Sequence, residues 1–171
     1  LALIFAVIWL EHESKSKTKY MEMAMYLPLL LPQTGFLFGM QVLLIWLKLD
    51  GLYLTLIWAH FLFVFPYILL SLSPTWRKWD VRYEMLGSSF GFGKFKKLFR
   101  IKLPLLLIPM VASFTIGFSV SSALYVPTIF AGNGSFVTLT TEAVALATGG
   151  SRQAAGIAAL LQMILPLLIF L

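Results

Sequence analysis

The sequence predicts an all-α membrane protein: a polytopic bundle of four full transmembrane spans plus one truncated span, with a cytoplasmic helix–turn–helix. Three observations predict it. Of 171 residues, 60% are hydrophobic and 12% charged, against roughly 45–50% and about 25% in soluble domains. Mean hydropathy is +0.90, so lipid must be part of the solvent. Charge is also segregated. Eleven of the 13 Lys and Arg fall in two connectors between apolar runs.

Taken in order, Leu1–Leu10 (LALIFAVIWL) is too short to cross a membrane and reads as the tail of a truncated span. The chain starts and stops inside apolar runs, which predicts a fragment of a longer protein, with residues 1–171 as one domain. The four expected spans are Tyr26–Lys48, Leu52 to about Ser71, Leu103–Tyr125 and Gln153–Leu171. Each approaches the ~20 residues needed to cross about 30 Å of hydrocarbon as a helix. Pro28 and Pro32 should bend or break the entry of the first, because proline removes a donor and clashes with the preceding turn. Gly35 and Gly39, and the Ser113, Gly117, Ser121 stripe, are small residues at helical spacing. They would let helix backbones approach closely in lipid.

The connectors set the orientation. Lys15, Lys17 and Lys19 lie in 11–25; Arg77, Lys78, Arg82, Lys94, Lys96, Lys97, Arg100 and Lys102 lie in 74–102. The positive-inside rule puts both in the cytoplasm, and the Asp50-Gly51 turn and the 126–152 stretch outside. This placement also accounts for the pI near 9.7 without nucleic acid as a partner.

Much chemistry is excluded. With no Cys, disulfides and thiolate sites are ruled out. Gly93-Lys94 is the only Gly-Lys pair, and Ser88 and Phe95 occupy the flanking positions where a phosphate-binding loop needs Gly and Ser or Thr. Two histidines and seven scattered acids form no local metal cluster or carboxylate pair. No catalytic residue, metal or cofactor is expected.

Within 74–102, Ser73-Pro74 reads as a helix start, with Ser as cap and Pro at the first position. A first helix should run from about Thr75 to Leu86 and stop near Gly87, with Gly91 and Gly93 permitting a sharp turn. From Phe95 onward, Phe95, Leu98 and Phe99 share one face. Two readings follow: an interfacial helix held by anionic lipid, or a coupling element seated on a soluble motor.

The order Gly91, Ile101, Leu103-Pro104 resembles the conserved cytoplasmic loop of binding-protein-dependent ABC importer permeases, the type I inner-membrane component. That loop reads Glu-Ala-Ala, three residues, Gly, nine residues, Ile, one residue, Leu-Pro. Its Glu-Ala-Ala part is degenerate here. Met85, Leu86 and Gly87 occupy those positions, and Glu84 lies one residue early. The runs Tyr26–Gln41, Trp58–His60 and Thr138–Gly150 are similar to the thiamine, iron(III) and polyamine permease branch.

The resemblance implies a bacterial inner-membrane permease domain. It would pair with a second permease domain, dock a cytoplasmic ABC ATPase and receive solute from a periplasmic binding protein. Glu84, Met85, Gly87, Gly91, Phe95, Leu98, Ile101, Leu103 and Pro104 would form the ATPase-coupling loop. ATP-driven closure would draw the two coupling loops together and rock the bundles between inward and outward access.

His60, Ser113, Ser119 and Ser122 are candidates for the translocation path. The alternative is packing, with hydroxyls bonded to backbone carbonyls and His60 bonded to a neighbouring helix. Gln33, Gln41 and Gln162 carry the same two readings. Thr138 reads as a helix cap with Glu142 in the first turn, and Asn133-Gly134-Ser135 as a turn. Two other functions compete. A secondary transporter often carries buried carboxylates, and no Asp or Glu lies mid-span. A membrane anchor for a soluble partner would not need the polar spans.

Overall fold

The computed structural model describes residues 1–13 and 23–170, and all regular structure among them is helical. The helices are α1 (Ala2–Glu13), α2 (Leu27–Leu30), α3 (Gln33–Trp46), α4 (Tyr53–Arg77), α5 (Val81–Ser89) and α6 (Lys94–Lys97). A π-helical turn (Leu98–Lys102) leads into α7 (Leu103–Leu105), α8 (Leu107–Ala123), α9 (Tyr125–Gly132), α10 (Leu139–Thr148) and α11 (Arg152–Phe170). The expected positions of Lys15, Lys17 and Lys19, and the end of the last span at Leu171, lie outside the described residues.

Helix α4 is the axis of the bundle. Its 25 residues extend about 37 Å at 1.5 Å per residue. One face packs on α1 through Val64, Phe65, Ile68, Leu69, Leu72 and Trp76, against Ala6, Val7 and Leu10. Nearer its start, Ala59 and Phe63 meet Leu37, Met40 and Leu44 of α3 and Ala131 of α9. Helix α8 crosses α4 where Gly117 removes a side chain: a Cβ there would lie 2.5 Å from Ile68 Cδ1. The small-residue stripe on α8 therefore faces α4. Gly35 and Gly39 differ, because a Cβ on either meets nothing within 4 Å among the described residues.

Among the described residues, two helices, α4 and α11, are long and apolar enough to cross a membrane. A third span results if Lys94–Leu105 and Leu107–Ala123, bent by 75°, count as one. The 14 residues of α3 reach about 21 Å, short of the hydrocarbon thickness alone. The expected span over Tyr26–Lys48 is broken where Pro28 and Pro32 predicted, with Leu31 and Pro32 extended between α2 and α3.

Three local expectations are corrected. No helix starts at Ser73-Pro74; α4 runs through Pro66 and Pro74 to Arg77. The buried positions Leu69, Leu72 and Trp76 keep helical spacing across Pro74, so packing outweighs the one lost hydrogen bond. The cap instead is Asp80, whose carboxylate accepts from the Arg82 N–H at 2.9 Å, so α5 spans Val81–Ser89 with Gly87 inside it. The straight part of the next span begins at Leu107, not Leu103. Pro109 cannot donate to the Leu105 carbonyl one turn back, and the chain bends at Leu106.

The 126–152 stretch, expected outside the membrane, is mostly helical, as α9 and α10. Thr138 caps α10 in a reciprocal box with Thr141, and Glu142 sits in the first turn. Asn133 and Gly134 turn the chain with φ of 49° and 69°. Asn133 also donates to Asp50 at 3.3 Å, joining this turn to the Asp50-Gly51 turn.

Candidate functional site

The hairpin of Val81–Lys102 is built by two devices. At the end of α5, Phe92 N–H bonds the Gly87 carbonyl and Gly91 N–H the Ser88 carbonyl, both at 2.9 Å. This is a Schellman stop, and Gly91 supplies the required left-handed residue at φ +70°. Gly87 then lets the returning helix close in. A Cβ on it would lie 2.7 Å from Ile101 Cδ1 and 2.9 Å from Lys97 Cγ. The π turn follows from Pro104, which has no N–H for the preceding carbonyls, so the helix widens just before it.

The predicted coupling residues divide into two faces. Met85 and Phe95 are 66% and 80% exposed, and Leu86, Phe90 and Phe99 also point outward. Gly87 is buried, while Leu98 and Leu103 pack on the cluster around Trp76. Glu84 lines a small cleft with Lys94, Lys97 and Ile101. Pro104 is exposed.

Lys102, one of the eight basic residues of 74–102, is 4% exposed. Its ammonium donates to Glu11 of α1 at 2.8 Å. It lies 4.4 Å from the ring centre of Trp76 and 5.7 Å from that of Trp79. A second pair, Arg77 to Glu13 at 3.0 Å, joins α4 to the same end of α1. Sequence reasoning missed this cluster. Its available signals were Trp76 and Trp79 three residues apart and two acids ending the first apolar run. The partners lie 91 positions apart.

Mid-span, His60 is held by hydroxyls from two other helices. Its ring nitrogens lie 2.9 Å from Ser121 of α8 (Nδ1) and from Thr128 of α9 (Nε2). Thr128 gives its own proton to the Leu124 carbonyl, so it must accept from Nε2–H. A ring with that one proton accepts from Ser121 at Nδ1. His60 and Ser121 border an apolar cavity of about 500 Å³, rimmed also by Tyr53, Phe61, Phe136 and Thr138.

The remaining predicted path residues are spread along α8. Ser113 is fully buried; its hydroxyl donates to the Pro109 carbonyl at 2.8 Å and lies 3.0 Å from Ser71 Oγ, whose own proton can complete that bond. Ser119 and Ser122 donate to the Thr115 and Phe118 carbonyls one turn back. The Ser122 carbonyl accepts from Gln162 of α11 at 2.6 Å and from Thr140 of α10. The structure thus brings His60 and Ser121 together and sets Ser113, Ser119 and Ser122 at separate levels.

No protein-family model and no solved structure matches this chain. Over 170 residues, 99% of the chain, it is 40% identical to the inner membrane ABC transporter permease protein YnjC of Escherichia coli (strain K12). The chain spans 32% of that relative's length. A helical architecture in which, among the described residues, two helices are long and apolar enough to cross a membrane therefore accompanies sequence similarity, over 99% of the chain, to a portion of an ABC transporter permease.

Proposed function

We propose that this chain is a permease segment of a binding-protein-dependent ABC importer in the bacterial inner membrane. The single observation that carries the reading is its 40% identity, across essentially all its residues, to part of an inner membrane ABC transporter permease. Residues 1–171 form one multi-pass permease domain, and α3 and the α6–α8 segment complete a four-span bundle. The chain is not itself an enzyme; a cytoplasmic ATPase subunit hydrolyses ATP. A second permease domain completes the path, and an external solute-binding protein delivers the cargo. The nearest branch is the one that takes thiamine, iron(III) or polyamines.

In this reading α5 and its turn are the docking element. The exposed Met85, Leu86, Phe90, Phe95 and Phe99 offer apolar anchors that a groove on the ATPase desolvates, where such anchors contribute most. Glu84 flanks them. Gly87, Gly91 and Ile101 fix the hairpin's shape, and Leu98, Leu103 and Pro104 join it to the bundle. His60, Ser119 and Ser122 border the path, with Ser113 as the packing contact beneath them. Bringing two docked hairpins together would tilt α8 against its counterpart.

The test uses the full-length protein. Purified from native membranes it should carry an ABC ATPase subunit, and a Ser89→Cys variant should react with an impermeant thiol reagent only from the cytoplasmic side. Labelling from outside, or solute uptake into proteoliposomes without any ATPase, would refute the reading.

A further inference from the structure

We propose that Lys102 is a positioning residue of energy coupling: its buried pair with Glu11 clamps the inner hairpin to α1, so the two move as one body. The inference rests on the permease reading, since only a docked motor would load the hairpin.

The geometry makes a continuous chain of contacts. Helix α5 touches the returning helix at Gly87, where Ile101 and Lys97 close within a methyl group's width. The residue after Ile101 is Lys102, whose ammonium leaves the hairpin and meets Glu11 at 2.8 Å. Trp76 and Trp79 sit against the same ammonium from the end of α4 and the link after it. Arg77 and Glu13 tie α4 to α1 beside it. Displacement of α5 thus has a stiff route to α1 and α4 that bypasses the bend at Leu106, where the covalent route into α8 turns by 75°. A bent connection absorbs movement by changing its angle. The pair resists, because pulling Glu11 away leaves the buried Lys102 ammonium without its carboxylate.

The other cations of this hairpin do not offer this link. Lys94, Lys96 and Arg100 are exposed, and Lys97 donates to Ser88 within the hairpin at 3.1 Å. Lys102 touches no ATPase anchor, so its effect on coupling would be indirect.

The experiment places spin labels at Ile8 of α1 and Ser89 of α5, both exposed. It uses the full-length permease with its ATPase in lipid nanodiscs, comparing the nucleotide-free state with ATP–vanadate trapping. In the wild type the Ile8–Ser89 distance should stay constant while the hairpin moves relative to its counterpart in the second permease domain. In Lys102→Met it should shift or broaden on trapping, and stimulated ATP hydrolysis should fall about tenfold. ATPase affinity should hold within about twofold, since the exposed anchors are untouched. Lys102→Arg, which keeps the charge and can stack on Trp76, should restore the constant distance.

An unchanged distance response and full hydrolysis in both Lys102→Met and Glu11→Gln would overturn the clamp and leave the permease reading standing. A wild type that binds no ATPase would overturn the permease reading, and the clamp's role with it.

Discussion

Among the described residues, Lys102 and His60 are ionisable side chains drawn into the bundle, and they are accommodated by opposite means. Lys102, just before Pro104, pairs with a carboxylate and lies against two indoles. His60, the eighth residue of α4, is matched with two hydroxyls. Depth explains the difference. The Glu11 side chain is 26% exposed, so the ion pair retains a path to water. Within the apolar span of α4 a charge is more expensive, and single-proton hydrogen bonds satisfy the ring. The first arrangement is strong and brittle. The second is weaker and can exchange partners.

The largest effect should come from breaking the first unevenly. Glu11→Ala strands Lys102 among apolar groups and should destabilise the full-length protein by about 3 kcal/mol, at the lower end for a broken buried pair because Glu11 is partly solvated. Lys102→Met, which removes the charge and keeps the volume, should cost under about 1 kcal/mol. Paired denaturation curves in detergent check this, and equal losses would show that packing, not charge, holds the site.

Next in size is Gly117→Val. Its Cβ would stand 2.5 Å from Ile68 Cδ1, forcing α8 away from α4 at an overpacking cost of about 2 kcal/mol. Ser121 lies one turn further on, so its bond to His60 should lengthen while Lys102–Glu11 persists. Gly35→Val, at a position where an added Cβ meets nothing within 4 Å among the described residues, is the control for intrachain packing. His60→Phe should cost less, about 1 kcal/mol. Thr128 already has an acceptor in Leu124, and Ser121 can turn to a carbonyl of its own helix. A loss as large as that of Glu11→Ala would erase the distinction between the two sites.

How much of this was legible follows from the range of each interaction. The helical membrane class, the break at Pro28 and Pro32, the Gly91 turn and the Thr138 cap all rest on composition or on residues within one turn, and each was readable. The helix start at Ser73-Pro74 misread a local signal, because the buried positions of α4 continue past the proline. The Lys102–Glu11 pair was not readable. In a linear sequence Lys102 is one more basic residue after Arg100, and only the register of α1 against the π turn sets it opposite Glu11. Likewise, the two glycine patterns look equivalent on paper, yet one meets α4 and the other meets no described residue. Small residues specify that a close approach is permitted, while the partner is chosen by topology.

The smallest expected effect on stability is also the most discriminating for function. Phe95 is 80% exposed and contributes little to the fold, so Phe95→Ala should change unfolding by no more than about 0.5 kcal/mol. If the outer face of the hairpin is where the ATPase seats, the same change should weaken ATPase binding about tenfold, as truncation of a desolvated aromatic anchor does. Lys102→Met should do the reverse, sparing binding and impairing response. The two variants therefore separate holding the motor from transmitting its stroke. Titrating purified ATPase onto each variant in nanodiscs and following hydrolysis in parallel reads both quantities. A Phe95→Ala protein that binds and responds like the wild type would move the docking surface off this face.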